Sequence, residues 1–403
     1  MDNITEVLQL FLATENFVAI AIGVIIGVTV GSIPGLTATM AVALALPFTF
    51  SMEPVAAILL LVGIYKGGMY GGSITAILIR TPGSPASACT LLDGYPLAQQ
   101  GEAKKALKMA LYSSVIADFI SNIALIFFAA YLAKIALNFG APEFFWLICF
   151  SLTIIISLAS GSMIKGLIAA FLGILLSLVG LDSVFGSQRL TFGNYNLMDS
   201  ISFIPLLIGL FAIPEIMEFY RKKVVPHIRA KASGAGVSFV ELKRSLKSIV
   251  RGSLIGVIIG AIPGTGATAA AFISYSDAKR RSPHPERFGK GEIEGVAASE
   301  AGNNGVAGAT LIPLLSLGIP GDVITAIILG AFMVHGLTPG PLLFQENLSL
   351  IYALFLGIML SSVILLFVGS AAIRYFSLIA DIPKSILFPI VLMFCIYGAY
   401  AVN

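Results

Sequence analysis

Long apolar stretches separated by short polar or basic segments run the length of the chain, and stretches of that length predict helices. In a first half they fall at residues 55–79, 109–137, 144–160, 167–181 and 202–220, and in a second half at 295–334, 350–373 and 386–402. Two stretches break the pattern. Residues 23–41, GVIIGVTVGSIPGLTATMA, return 229 positions later (252 − 23) as residues 252–270, GSLIGVIIGAIPGTGATAA, with eleven of nineteen positions identical. Both place glycine at four successive i,i+4 positions, Gly23/Gly27/Gly31/Gly35 and Gly252/Gly256/Gly260/Gly264, and both set Ile-Pro before the last glycine.

A glycine ladder leaves a strip without side chains on one helical face, where a second backbone can approach closely. Pro-Gly then interrupts the helix, because proline clashes with the preceding turn and glycine accepts left-handed angles. About eleven residues on each side correspond to ~16 Å per half-helix, against a hydrocarbon core of ~30 Å. Each copy is sized to enter a bilayer halfway and turn back, and opened backbone at that depth belongs where it lines a cavity. The alternative is a pair of glycine-kinked packing helices.

Charge fixes the expected sidedness. The clusters at Lys104/Lys105/Lys108, Arg221 to Arg251 and Lys279 to Lys290 hold seventeen of the twenty-four Lys and Arg, and the positive-inside rule makes them cytoplasmic. The second copy is flanked by basic loops on both sides, so it must be re-entrant. The first follows an N-terminus free of basic residues and should dip in from the opposite face. Two related hairpins of opposite orientation predict an inverted-topology repeat. The expected organisation is a first membrane repeat over 1–220, a basic cytoplasmic linker over 221–250 with an amphipathic piece at 239–249, and a second membrane repeat over 251–403. The second is one or two helices shorter, from asymmetry or from an incomplete C-terminal part. With 57% hydrophobic and 11% charged residues and a mean hydropathy of +0.96, the chain reads as an all-α polytopic membrane protein. The three cysteines and three histidines are scattered, which gives no disulfide or metal spacing. No P-loop, H-E-x-x-H or G-x-S-x-G occurs, which argues against ATP-driven work by this chain and against an enzyme.

Each hairpin is followed by a second special segment, from Lys66 to Pro85 and from Glu300 to Asp322, that ends in a further Pro-Gly break. The four breaks are Pro34-Gly35, Pro82-Gly83, Pro263-Gly264 and Pro320-Gly321. A half-helix beginning after a break presents unpaired amides and partial positive charge, which suits a carboxylate. The expected substrate contacts are therefore Pro34, Gly35, Leu36, Thr37, Thr39, Thr81, Pro82, Gly83, Ser84, Pro263, Gly264, Thr265, Gly266 and Thr268, with ordinary helix capping as the alternative for the hydroxyls. Oxygen-bearing Ser73, Asn303, Asn304 and Asp322, with Pro320 and Gly321, form the expected ion site. Aligning Gly71 on Gly305 sets Lys66 opposite Glu300 and makes the second run four residues longer. Lys66 is then a cationic contact for substrate or a partner of Glu300, since ionisable residues in spans are usually paired or functional. Asp277 reads as a solvated loop residue.

The motifs Gly31-Ser-Ile-Pro-Gly-Leu-Thr-Ala-Thr-Met40, Tyr70-Gly-Gly-Ser-Ile-Thr-Ala-Ile-Leu78, Thr81-Pro-Gly-Ser-Pro85, Gly260-Ala-Ile-Pro-Gly-Thr-Gly-Ala-Thr268 and Leu317-Gly-Ile-Pro-Gly321 resemble those of the large membrane subunit of the tripartite tricarboxylate transporters. The resemblance covers essentially the whole chain, although members of that family are typically longer. It implies a permease of the bacterial inner membrane that works with a small four-helix membrane subunit and a periplasmic solute-binding protein. It further implies uptake of di- or tricarboxylates such as citrate, driven by a Na⁺ or H⁺ gradient, and an elevator-like movement, with no cofactor and no nucleic acid. The matching motif residues are Ile33 to Thr39, Gly71 to Thr75, Thr81 to Ser84, Ile262 to Thr268, Asn303, Asn304 and Gly318 to Asp322. A channel or cation exchanger using the same broken helices, or a membrane-embedded enzyme, are the competing readings.

Overall fold

A computed structural model describes residues 2–158, 162–182, 185–221, 234–379 and 384–400. In chain order the helices are α1 (Asp2–Leu12), α2 (Thr14–Gly31), α3 (Ala38–Ala45), α4 (Pro54–Ile79), α5 (Ser87–Gln99), α6 (Ala103–Ala136), α7 (Ala141–Leu158), α8 (Met163–Ser177) and α9 (Phe203–Arg221). They continue as α10 (Phe239–Gly260), α11 (Gly266–Arg281), α12 (Ile293–Ala309), α13 (Leu311–Leu317), α14 (Val323–Val334), α15 (Leu343–Glu346), α16 (Leu348–Ile379) and α17 (Lys384–Tyr400). A 3₁₀ turn spans Leu46–Ser51, and two-residue strands β1 (Gly180–Leu181) and β2 (Gln188–Arg189) pair antiparallel with Gly180 opposite Arg189. The molecule is a mostly helical membrane protein, in which α2, α4, α6 and the 348–375 part of α16 are long and apolar enough to cross a bilayer. The spans expected around α4, α6 to α9, α16 and α17 differ from the observed helices by six residues at most, with 159–160 and 401–402 outside the described residues. The expected span at 295–334 is instead three helices, α12 to α14, because Thr310 and the turn at Gly318 to Asp322 divide it.

The glycine ladders decide how the centre packs. A Cβ on Gly23, Gly27 or Gly31 would lie 2.3, 2.3 or 2.5 Å from the carbonyl oxygens of Leu60, Ile64 and Gly68, so α2 lies backbone to backbone on α4. The partners rise in step with the glycines, so the two helices run parallel. α3 and the 3₁₀ turn bring the chain back between them, which makes α2 and α3 a hairpin whose tip reaches the level of Gly68 to Gly72. α2 is 18 residues long, ~27 Å, so this ingoing arm is longer than the ~16 Å expected from the glycine stretch alone.

The second unit repeats this packing. Cβ atoms on Gly252, Gly256 and Gly260 would lie 3.0, 2.7 and 2.9 Å from the carbonyl oxygens of Ala298, Gly302 and Val306, with α11 as the returning arm. These partners follow those of the first unit by 238 positions (298 − 60, 302 − 64, 306 − 68), as does Pro320 follow Pro82. The alignment of Gly71 on Gly305 is thereby corrected. The second run has no extra turn, Lys66 corresponds to Asn304, and Glu300 corresponds to Val62.

α6 threads between the units. Lys66 of α4 meets Asn122 while Tyr70 reaches back to the carbonyl of Leu107, so α4 and α6 are antiparallel. Ser114 meets Glu300 and Ser121 meets Gly305, so α12 and α6 are parallel. Hence α4 and α12 run in opposite directions. At one end of the molecule Lys105 pairs with Glu102 and Glu241 at 2.9 and 3.1 Å, Arg244 pairs with Glu294 at 2.8 Å, and Gln100 donates to the Lys290 carbonyl. The described parts of the three basic clusters therefore share that end. The amphipathic piece at 239–249 is continuous with the ladder in a single helix, α10, so the boundary expected at 250 falls inside a helix. Residues 222–233 of the expected linker lie outside the described residues. α8 has no buried residue, and its outward Phe171, Leu172 and Leu175 suit contact with lipid.

Candidate functional site

Each Pro-Gly break is shaped by local backbone chemistry. After α2, Gly35 takes φ 92°, and the Thr37 hydroxyl caps α3 by accepting from the Met40 amide at 3.3 Å. After α4, Arg80 closes the helix at φ 57° and the Gly83 amide returns to the Gly72 carbonyl at 3.2 Å. A Cβ on Gly83 would sit 2.6 Å from both the Gly31 oxygen and the Gly72 Cα, so only glycine fits this crossing of two breaks. After α10, the Gly264 amide donates to the Gly321 carbonyl at 2.8 Å, which ties the third break to the fourth. Asp322 then opens α14 through a reciprocal cap, its Oδ1 accepting from the Thr325 amide at 2.8 Å.

The four breaks meet at one cavity of about 500 Å³, within the usual size of a small-molecule site. Much of its wall consists of residues equivalent between the units. Ala38 and Thr39 correspond to Ala267 and Thr268, which are 229 positions on; Tyr65, Ser84 and Ala86 correspond to Asn303, Asp322 and Ile324, which are 238 positions on. The cavity therefore lies where the two repeated units meet. Gly35, Thr37, Met69, Pro82, Gly83 and Pro85 complete the wall from the first unit. α3, α5, α11 and α14 begin at or beside the wall residues Ala38, Ala86, Ala267 and Asp322, and no lysine or arginine belongs to the wall among the described residues. Asp322 is already engaged, with Oδ2 accepting from the Tyr65 hydroxyl at 2.7 Å. Asn303 is different: it is 0% exposed, and neither its carboxamide oxygen nor its nitrogen has a protein partner. A buried amide without a partner is satisfied only by what fills the cavity.

The family model described as the tripartite tricarboxylate transporter TctA family matches residues 17–403, with these breaks and walls inside it. The chain belongs to the TctA family. It is also 38% identical over its full length to the 52.8 kDa protein of the TAR-I ttuC′ 3′ region of Agrobacterium vitis, covering 80% of that protein. A second Agrobacterium vitis protein, from the TAR-II ttuC′ 3′ region, is 37% identical over 37% of this chain and 61% of its own length. No solved structure matches. As a TctA-family member the chain is a transporter component and not an enzyme, and a tripartite system implies partner subunits.

Not all residues expected at the site reach the cavity. Gly35, Thr37, Thr39, Pro82, Gly83, Ser84 and Thr268 belong to its wall, as do Asn303 and Asp322 from the expected ion set. Pro34, Leu36, Thr81, Pro263, Gly264, Thr265, Gly266, Pro320 and Gly321 shape the breaks without lining it. Leu36 is packed in the core at 1% exposure, and the Thr265 hydroxyl shares its hydrogen between the Ile259 and Ile262 carbonyls at 2.5 and 2.9 Å, closing the C-terminal end of α10. Ser73 and Asn304 bond the Glu300 carboxylate behind the cavity.

Lys66 is neither a cavity contact nor the partner of Glu300. Its ammonium is buried against Asp118 at 3.0 Å and donates to the Asn122 side chain and the Ile358 carbonyl, both at 3.0 Å. Ser362 donates to Asp118 at 2.6 Å, so α4, α6 and α16 share this network. Sequence reasoning missed Tyr65 and Asp118. The signal for Asp118 was present, since Ser114, Asp118 and Asn122 form an i,i+4,i+8 polar stripe in an apolar span. Asp93 of α5 was missed too: its Oδ1 accepts from the amides of Gly289, Gly291 and Glu292 at 2.8 to 2.9 Å and its Oδ2 from Tyr275. It fastens α5 to the start of α12. Asp277, expected in a solvated loop, lies instead within α11 and pairs with Arg280 and Arg281 at the basic end.

Proposed function

We propose that this chain is the permease core of an ion-driven transporter that moves di- and tricarboxylates, such as citrate, across the bacterial inner membrane. In this reading a periplasmic binding protein delivers the substrate and a small four-helix membrane subunit accompanies the permease. The observation that carries it is the paired wall of the cavity. Two equivalent units, with α4 and α12 in opposite directions, each contribute a hairpin tip, a broken helix and a hydroxyl or amide to one site. That arrangement supports an inverted-topology repeat with substrate bound where the units meet.

The chemistry fits an anion that is recognised without a fixed counter-charge. The starts of α3, α5 and α11 supply partial positive charge, Thr39, Thr268 and Ser84 supply hydroxyls, and the Asn303 amide supplies a donor with no competing protein acceptor, while the carboxylate of the wall residue Asp322 is taken up by the start of α14 and the Tyr65 hydroxyl. A Na⁺ or H⁺ gradient drives uptake, and an elevator-like movement of the hairpin-bearing part exposes the cavity alternately. The test is accumulation of labelled citrate in proteoliposomes that hold the chain with its partner subunits under an imposed ion gradient. Concentration above the external level supports the permease. Simple equilibration would assign a channel instead, and absence of carboxylate flux with every candidate acid would overturn the reading.

A further inference from the structure

Behind the cavity wall, one turn of α12 before Asn303, Glu300 is 0% exposed and its carboxylate hydrogen-bonds only to neutral groups. Oε1 accepts from Ser73 of α4 at 2.5 Å and from Thr90 of α5, while Oε2 accepts from Ser114 of α6 at 2.9 Å and from the Asn304 amide at 3.2 Å. The nearby buried cation, Lys66, is committed to Asp118. An ionised carboxylate enclosed without a counter-ion is costly, and four donors only offset part of that cost.

The same network accommodates a proton. The Thr90 hydroxyl lies 3.2 Å from that of Ser299, and Ser299 already donates its own hydrogen to the Val296 carbonyl at 3.0 Å, so its lone pairs are free to accept. When a proton bonds to Oε1, the Thr90 hydroxyl turns to donate to Ser299 and accepts the new Glu300 O–H in return. One O–H bond forms, one hydrogen bond reverses, another is gained, and no heavy atom has to move. The direct contacts of 2.5 and 2.9 Å leave no gap for a metal cation among these oxygens.

We propose that Glu300 holds the coupling proton of this transporter, with Thr90 and Ser299 as the hydroxyl pair that switches to receive it. The proposal rests on the transport reading above. Coupling follows from position. α4, α5 and α12, which surround the carboxylate, also carry the cavity-wall residues Tyr65 and Met69, the Ser84 to Ala86 lead-in, and Asn303, one turn from Glu300. An anionic substrate and an ionised Glu300 repel each other in this low-dielectric region, so neutralising one favours binding of the other. Titratable groups buried on the helices packed around it include Tyr65 and Tyr70 on α4, Cys89 and Asp93 on α5, the Lys66-paired Asp118 on α6 and Tyr275 on α11. Asp93 is held by backbone amides and Asp118 by Lys66, and Glu300 relies on hydroxyls and an amide side chain.

The experiment uses the complete transporter in proteoliposomes. Wild type should accumulate substrate under a pH gradient without Na⁺, and its counterflow of labelled against unlabelled substrate should vary with pH. Glu300→Gln fixes the neutral state, so it should abolish accumulation driven by the pH gradient and remove the pH dependence of counterflow. Ser299→Ala keeps all four bonds to the ionised carboxylate but removes the acceptor used after protonation, so the pH midpoint should fall by about one unit. Infrared difference spectra of the purified chain should show a protonated-carboxyl band that titrates in wild type, shifts in Ser299→Ala and vanishes in Glu300→Gln. Undiminished proton-driven accumulation by Glu300→Gln, an unshifted Ser299→Ala profile, or wild-type uptake that follows Na⁺ alone would overturn the proposal. If wild type shows no carboxylate counterflow at all, the transport reading fails, and the infrared band still decides whether Glu300 titrates.

Discussion

Replacing Lys66 by methionine separates a structural cation from a substrate contact. Lys66 and Asp118 have side chains only 1% and 2% exposed, and the ammonium supplies Asp118 with its counter-charge. Without it, Asp118 Oδ2 retains the Ser362 hydroxyl and Oδ1 has no partner, so a nearly bare carboxylate is left inside the protein. Removing one member of such a buried pair costs about 3–5 kcal/mol, far more than the pair itself contributes relative to apolar groups of similar shape. The double change Lys66→Met with Asp118→Leu should therefore recover more than half of the loss. Asn122 keeps its bonds to the Ile358 carbonyl at 3.2 Å and to Ser362 at 2.9 Å, which limits the residual defect. Thermal unfolding of the detergent-solubilised chain, followed by size-exclusion of what remains monodisperse, reads the stability. Transport kinetics on the same variants read affinity. A Lys66→Met protein of wild-type stability that needs much more substrate would refute this reasoning and return Lys66 to the substrate site.

Gly27→Ala should prevent α2 from seating on α4 and remove most folded protein, since the new methyl carbon would lie 2.3 Å from the Ile64 oxygen, whereas Gly209→Ala meets nothing within 4 Å and should be silent in an expression and unfolding assay. Asn303→Leu and Thr268→Val should each raise the half-saturating substrate concentration about tenfold, equivalent to one lost hydrogen bond of ~1.4 kcal/mol, with unfolding temperature little changed. Thr265→Val should instead lower stability by about 1 kcal/mol and leave half-saturation alone, because its hydroxyl closes a helix end. Asp93→Ala should cost of order 3 kcal/mol and speed proteolysis across residues 285–292, where three amides lose their acceptor.

Much of the cavity wall was legible because its markers are local. Proline and glycine disrupt a helix wherever they fall, so the four breaks could be read directly, and the repeat of residues 23–41 at 252–270 showed that they come in related pairs. The cavity wall then followed for Gly35, Thr37, Thr39, Pro82, Gly83, Ser84 and Thr268. Thr265 was indistinguishable from Thr268 on paper, because which way a hydroxyl turns after a break depends on the backbone it finds. The length of the hairpin arms was misjudged for a related reason: the glycine pattern marks where α2 touches α4, and the helix itself begins nine residues before Gly23, at Thr14.

The chain by itself determined where most of the long helices run, where Pro-Gly breaks them, which stretches are copies and which segments are basic, since apolar length, Pro-Gly chemistry and charge act within a few residues of where they are written. Only the tertiary structure decided the register of α4 against α12, the pairing of Lys66 with Asp118, and the enclosure of Glu300 by hydroxyls from three other helices. Those outcomes depend on which small residues let two backbones touch. Sliding one helix by a single turn, as the Gly71–Gly305 alignment did, keeps every local preference and changes every buried polar partner.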